Sequence, residues 1–201
     1  HWRYRRELPF DLMQLHPTNR GVALWGDMVF IATLDAFVVA LDAATGRVVW
    51  ETAAEDYLGG YYMTLAPLAA RGKVMVGVSG GELGIRGFVA AFDAETGEPA
   101  WKAYTVPAPG EFGNDTWPGD SWRTGGAPAW ITGSYDPELN LSYWGTGNPG
   151  PWVGDTRPGD NLYTNSVLAL DVDTGELRGY HQYHWNGSWD WDEVSAPLLI
   201  D

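Results

Sequence analysis

Four oxygen-bearing side chains stand out for their settings: Glu82 in S-G-G-E-L-G, Asn148 in G-T-G-N-P-G-P-W, and Asp190 with Asp192 in W-D-W-D. Each sits beside Gly, Pro or Trp after an apolar run, so each reads as a loop residue at the end of a strand. Oxygen ligands drawn from separate loops suit a hard cation such as Ca²⁺ rather than a soft one. Two carboxylates spaced D-x-D on an extended segment share a face, so Asp190 and Asp192 can both reach one ion. Taken singly, each residue has an ordinary explanation, since Asp among glycines forms turns and a surface Glu is solvated. The chain has no Cys, which excludes thiolate ligands, disulfides and thiol nucleophiles. His181 and His184 are three apart in a strand-like run, the wrong spacing for a shared face, and they make no ligand pair.

The elements that must position these residues are strands. Helical periodicity is nearly absent, and short β-branched and apolar runs alternate with Gly, Pro, Asp and Asn, as in VALW (22–25), MVFIAT (28–33), AFVVALD (36–42) and KVMVGV (73–78). The sharper signal is an internal repeat. ALDAATGRVVW (40–50), AFDAETGEPAW (91–101) and ALDVDTGELRG (169–179) share one frame, with Gly179 where the third Trp is expected and Tyr180 just after it. Each copy reads strand, D-x-x-T-G turn, strand. The Asp accepts from backbone N–H groups, the Gly supplies a positive φ, and the Trp offers a flat face to a neighbouring unit. Spacings of 51 and 78 residues suit four-stranded blades with insertions, and so an all-β propeller rather than a sandwich.

Acidic residues outnumber basic ones 26 to 12, giving a net charge of −14 that argues against nucleic acid and anionic lipid as partners. No apolar run is long enough for a transmembrane segment. The chain starts at His1 without a leader, and its last residues, Leu199-Ile200-Asp201, read as part of a strand.

The A-x-D-x-x-T-G-x-x-x-W repeat resembles the tryptophan-docking motif of the quinoprotein alcohol dehydrogenases, the methanol and ethanol dehydrogenase family. The likeness runs through TNRGVALW (18–25), TLAPLAARGKVMVGVSGGELGIRGFVAAFD (64–93), TWPGDSWRTGGAPAW (116–130), GSYDPELNLSYWGTGNPGPW (133–152), RPGDNLYTNSVLALD (157–171) and WDWDEV (189–194), nearly the whole chain. It implies an eight-bladed propeller around pyrroloquinoline quinone (PQQ). At about 40–50 residues a blade, 201 residues make roughly the first half, a part of a single propeller domain.

In that family a Glu from S-G-x-E-x-G, an Asn from G-x-G-N-P and a catalytic Asp from W-D bind the metal, and these positions resemble Glu82, Asn148 and Asp190. Asp192 stands where the lanthanide-dependent members carry a further Asp and the Ca²⁺-dependent members a small residue. The expected ion is therefore a lanthanide, with Ca²⁺ as the alternative, because a trivalent ion gains more from a third carboxylate. Trp130 resembles the Trp beneath the quinone ring, Arg20 the Arg that pairs with it, and Thr64 and Ser79 its hydroxyl contacts. Gly80 and Gly81 would allow close backbone approach, and the W-D-W-D tryptophans would wall a small alcohol pocket.

Two departures stand against the pattern. Gln14 and Leu15 occupy the positions of the family's adjacent cysteines, so Leu15 is expected to cover the quinone face instead. The stretch from Glu82 to Trp130 is also shorter than in typical methanol dehydrogenases. The resemblance implies oxidation of a small primary alcohol, a cytochrome c acceptor, a periplasmic location and possible homodimers. Two alternatives are a quinoprotein for sugars or polyols and a non-catalytic scaffold. Outer-membrane assembly factors have the docking repeat without the cofactor, and the joint presence of Glu82, Trp130, Asn148 and Asp190 argues against that scaffold.

Overall fold

In the computed structural model, which describes residues 1–200, the apolar runs pair into antiparallel meanders. The first sheet comprises β1 (Ala23–Trp25), β2 (Met28–Ala32), β3 (Phe37–Asp42) and β4 (Val48–Ala53). The second comprises β5 (Leu68–Ala70), β6 (Lys73–Gly77), β7 (Phe88–Asp93) and β8 (Pro99–Tyr104). The third comprises β9 (Ser134–Asp136), β10 (Leu141–Gly145), β11 (Ser166–Asp171) and β12 (Leu177–Gln182). Within each sheet the strands neighbour one another in chain order, and helical structure among the described residues is confined to single 3₁₀ turns.

Burial follows position in the sheet. β3 and β7 are covered on both faces and are accordingly near-continuous apolar runs, while β4 and β8 alternate between exposed and half-buried residues as outer strands do. The inner strands adjoin, β1 against β5 and β5 against β9, so the three sheets fan out from a common inner edge. Phe30, Val38, Met63, Val76, Phe88 and Trp144 fill the space between them.

The repeated turns form as their chemistry requires. The carboxylate of Asp42 accepts from the Thr45 N–H at 2.7 Å, that of Asp93 from the Thr96 N–H at 2.9 Å, and that of Asp171 from the Thr174 N–H at 3.1 Å. Gly46, Gly97 and Gly175 close them at φ of 72°, 75° and 74°. The strand register slips at the same place in each copy, after Ala40, Ala91 and Ala169.

Each docking Trp packs on the turn of the next sheet. The Trp50 indole N–H donates to the Ala94 carbonyl at 3.1 Å and its ring lies on Gly97, where a Cβ would come within 2.5 Å of the ring. Trp101 does the same to the Val172 carbonyl, at 2.9 Å, and to Gly175. The structure adds a third instance that the repeat frame missed. Trp2 donates to the Ala43 carbonyl at 2.9 Å and covers Gly46. Gly179, in the third copy, has open space where an indole would stand, and Tyr180 packs instead edge-on to Tyr163 at 4.7 Å.

Two long connections account for the wider second spacing. Residues 105–133 join β8 to β9 and carry a small core of their own (Val106, Trp117, Trp122, Ala127), and residues 146–165 join β10 to β11. The strand expected at the C-terminal end does not form: Leu199 and Ile200 are exposed and outside any strand, and Asp201 lies outside the described residues.

Candidate functional site

A cavity of about 370 Å³ opens near the inner edge of the second and third sheets. Eight of the residues expected from the sequence line it: Arg20, Thr64, Ser79, Gly80, Glu82, Trp130, Asp190 and Asp192. Leu15 lines it too.

One wall is built around the entry to β5 and the exit from β6. Ser79 N–H donates to the Tyr62 carbonyl at 2.8 Å, which brings the Thr64 and Ser79 hydroxyls to 3.1 Å from each other. The Thr64 carbonyl accepts from Arg20 twice, from its backbone N–H at 3.0 Å and from its guanidinium at 3.2 Å. That guanidinium lies 4.8 Å from the Trp130 ring centroid, within cation–π range. Gly80 has φ 111°, and a Cβ there would fall 2.1 Å from the Gly60 carbonyl oxygen. Its lack of a side chain thus serves a close approach within the protein.

The other wall is the irregular segment after β12. Asp190 adopts the left-handed conformation, φ 61°, which Asp tolerates better than most residues. The W-D-W-D run is therefore not the extended stretch expected, and the D-x-D spacing is not what brings its two carboxylates together. Asn148 does this with both of its N–H groups: its side chain donates to Asp190 at 2.7 Å and its backbone N–H to Asp192 at 2.7 Å. Asp192 also accepts from the Trp130 indole N–H at 2.7 Å. Gly147 makes room for this contact, since a Cβ there would stand 2.8 Å from a carboxylate oxygen of Asp192.

Burial raises the Asp192 carboxyl to about 6, and the nearby charges of Asp190 and Glu82 push the same way, outweighing the two donors that favour its ionised form. The ion pairs formed among the described residues involve other carboxylates, leaving Glu82, Asp190 and Asp192 without a Lys or Arg partner. No three acidic or imidazole side chains among the described residues converge tightly enough to form a finished cation cage. Three carboxylates nonetheless border one cavity, Asp192 half-buried and short of positive charge, Glu82 and Asp190 exposed, and such oxygen donors are of the kind a hard cation takes. Trp130 offers an aromatic face and Arg20 a cation to a flat anionic ring system, which would enter as the Arg20 guanidinium moves off the Trp130 ring.

Three expectations are adjusted. Asn148 does not line the cavity: its Nδ2 faces Asp190, and its Oδ1 accepts from Asn165 at 3.3 Å. Gly81 lies against Pro128 and lines a neighbouring cavity, which shares Glu82 and Trp152 with the first. The W-D-W-D tryptophans do not form the apolar wall. Trp189 and Trp191 are exposed, and Tyr62, Pro128, Trp152 and Val194 line the cavity in their place, with His16. Of these, Tyr62 was within reach of sequence reasoning, two residues before Thr64 on an extended segment and so on the same face.

A fan of antiparallel four-stranded sheets with an acidic cleft at its inner edge defines part of a β-propeller. The chain belongs to the PQQ family, described as the glucose/ethanol/alcohol dehydrogenase β-propeller domain, which it matches over residues 1–201. The quinoprotein alcohol dehydrogenase PedH of Pseudomonas putida is 44% identical over 218 residues, an alignment that covers 100% of this chain and 36% of PedH. The lanthanide-dependent methanol dehydrogenase of Methylacidiphilum fumariolicum is 41% identical over 204 residues, covering 91% of this chain and 33% of that protein. The structure of a europium-containing methanol dehydrogenase superposes with a TM-score of 0.83 at 41% identity, over 88% of this chain and 34% of that one. The chain thus spans about a third of the length of the relatives it matches. BamB of Moraxella catarrhalis, at 16% identity and a TM-score of 0.55, shares the fold alone.

Proposed function

We propose that the protein of which this chain is part is a PQQ-dependent alcohol dehydrogenase, and that residues 1–201 contribute one side of a single propeller domain's cofactor and metal site. The observation that carries this reading is the meeting of Glu82, Trp130 and the Asp190–Asp192 pair on one cavity, although they come from three separate segments. A scaffold has no use for three carboxylates without cationic partners there.

In this reading Glu82, Asp190 and Asp192 hold the metal ion, with Asn148 as a further ligand once its amide turns over. Trp130 carries the ring of PQQ on its face, the Arg20 guanidinium pairs with its anionic groups, and Thr64 and Ser79 supply hydroxyl contacts. PQQ, when bound, supplies the two-electron acceptor chemistry, and the metal Lewis acidity. Asp190 accepts the hydroxyl proton of the alcohol on its carboxylate. Leu15, Tyr62, Trp152 and Val194 exclude water and favour a small apolar alcohol over a sugar. The third carboxylate at Asp192 favours a lanthanide over Ca²⁺. The name of one relative, methanol dehydrogenase [cytochrome c] subunit 1 of Methylorubrum extorquens, 39% identical over 91% of this chain and 33% of that protein, supports a cytochrome c as electron acceptor and with it a periplasmic location.

The test is made on the whole protein. Asp190→Asn should leave PQQ bound, seen by its absorbance, and abolish dye reduction with short alcohols in the presence of La³⁺. Turnover by that variant would remove Asp190 from the role of base. Asp192→Ala should lose activity with La³⁺ more than with Ca²⁺, and an equal loss with both would refute the lanthanide assignment. No dye reduction by the unmodified protein, with either ion and any alcohol, would point to the scaffold.

A further inference from the structure

Arg157 is fully buried, yet its guanidinium meets no carboxylate among the described residues. Burial alone pushes its pKa down to about 10. A buried charge of this kind costs stability unless its hydrogen bonds are made well, and here they are. Nε donates to the Pro151 carbonyl at 2.6 Å, Nη1 to the Asn161 side-chain oxygen at 2.7 Å, and Nη2 to the Trp152 carbonyl at 3.2 Å and to the Gly187 carbonyl. All these acceptors are uncharged, and three are backbone carbonyls from two segments far apart in sequence.

Those segments are the two that flank the cleft. One ends in Trp152, whose side chain lines both cavities. The other, three residues past Gly187, reaches Asp190 without regular secondary structure of its own. Further contacts join the same pieces: the Asn186 amide donates to the Arg157 carbonyl at 3.0 Å, and Gly154 N–H donates to the Ser188 hydroxyl at 3.2 Å. On the far side of Asp190 the segment is held by Asn165, which donates to the Trp191 carbonyl at 2.6 Å. Asp190 is thus held at its carboxylate by Asn148 and through the backbone on either side of it, and Arg157 is the anchor that also holds Trp152.

We propose that Arg157 is a positioning residue of the cleft, fixing Trp152 and Asp190 relative to one another by binding the backbone of both their segments. Its importance for turnover rests on Asp190 being the base; its geometric role does not. A planar guanidinium can serve four acceptors in two directions, whereas an ammonium has three donors on a single atom. Lys therefore preserves the charge without preserving the link.

The experiment compares the whole protein with its Arg157→Lys variant by hydrogen exchange and by kinetics. Amides of residues 150–156 and 184–192 should exchange about tenfold faster or more, while those of β2, β3, β6 and β7 keep their protection. The ratio of kcat/KM between ethanol and a longer alcohol should change by about threefold or more, because the Trp152 wall moves relative to the base. That ratio is independent of the fraction of active enzyme, so a merely destabilising substitution leaves it unchanged. Unchanged exchange in the two segments, faster exchange spread evenly over all three sheets, or an unchanged ratio would each overturn the proposal. If the Lys variant does not fold, Arg157→Gln is judged by the same two measurements. Should Asp190→Asn retain turnover, the assigned base falls, while the exchange pattern still judges Arg157.

Discussion

Asp192 concentrates the electrostatics of the site. Its carboxyl, raised to about 6, holds its proton in the folded protein over a range where an unfolded chain has already released it. In cation-free solution its contribution to stability is therefore full below the usual carboxylate range and is lost as the pH rises to about 6. Melting temperatures measured with a chelator across that window should carry this downward component, and Asp192→Asn should remove it. Trp130→Phe keeps an aromatic face but deletes the indole donor to Asp192, a charged hydrogen bond worth about 1.5–3 kcal/mol. The Asp192 carboxyl should then move further up, read by infrared titration; no movement would mean that the 2.7 Å contact does not favour the ionised form. The acids were legible in the sequence because Gly, Pro and Trp around them mark loops. The donor role of Asn148 was not, because the orientation of its amide is set by Asn165, a residue that only the fold brings near.

At the scale of elements, the turn and the indole that rests on it act together. Gly97→Ala would both strain a backbone at φ 75° and force a methyl into the Trp50 ring. A loss of about 2–4 kcal/mol is expected from the two effects combined. Trp50→Ala should cost about 3 kcal/mol by emptying the same contact from the other side. Made together they should cost less than the sum, since one interface is removed twice, and denaturant unfolding of the double variant checks this. These elements were the most readable part of the chain, because D-x-x-T-G fixes a local conformation with its own atoms. The cavity wall was less so. Trp152, unlike Trp189 and Trp191, lines the cleft, and the Arg157 contact that holds its backbone has no local signature.

For the whole molecule, the consequential feature is Trp2. Trp2→Ala in the whole protein should lower the melting temperature much as Trp50→Ala does, although sequence periodicity gives no hint that residue 2 belongs to the repeat. An unchanged melting temperature would make its packing on Gly46 incidental. All three docking indoles reach forward along the chain, Trp2 to Ala43, Trp50 to Ala94 and Trp101 to Val172. During synthesis each therefore waits for a turn that the ribosome has yet to release, and its docking contact closes only when that later turn has formed. Gly179 breaks this series. The third copy carries no indole to pass forward at this position, so among the described residues the docking series ends on the third sheet's own turn.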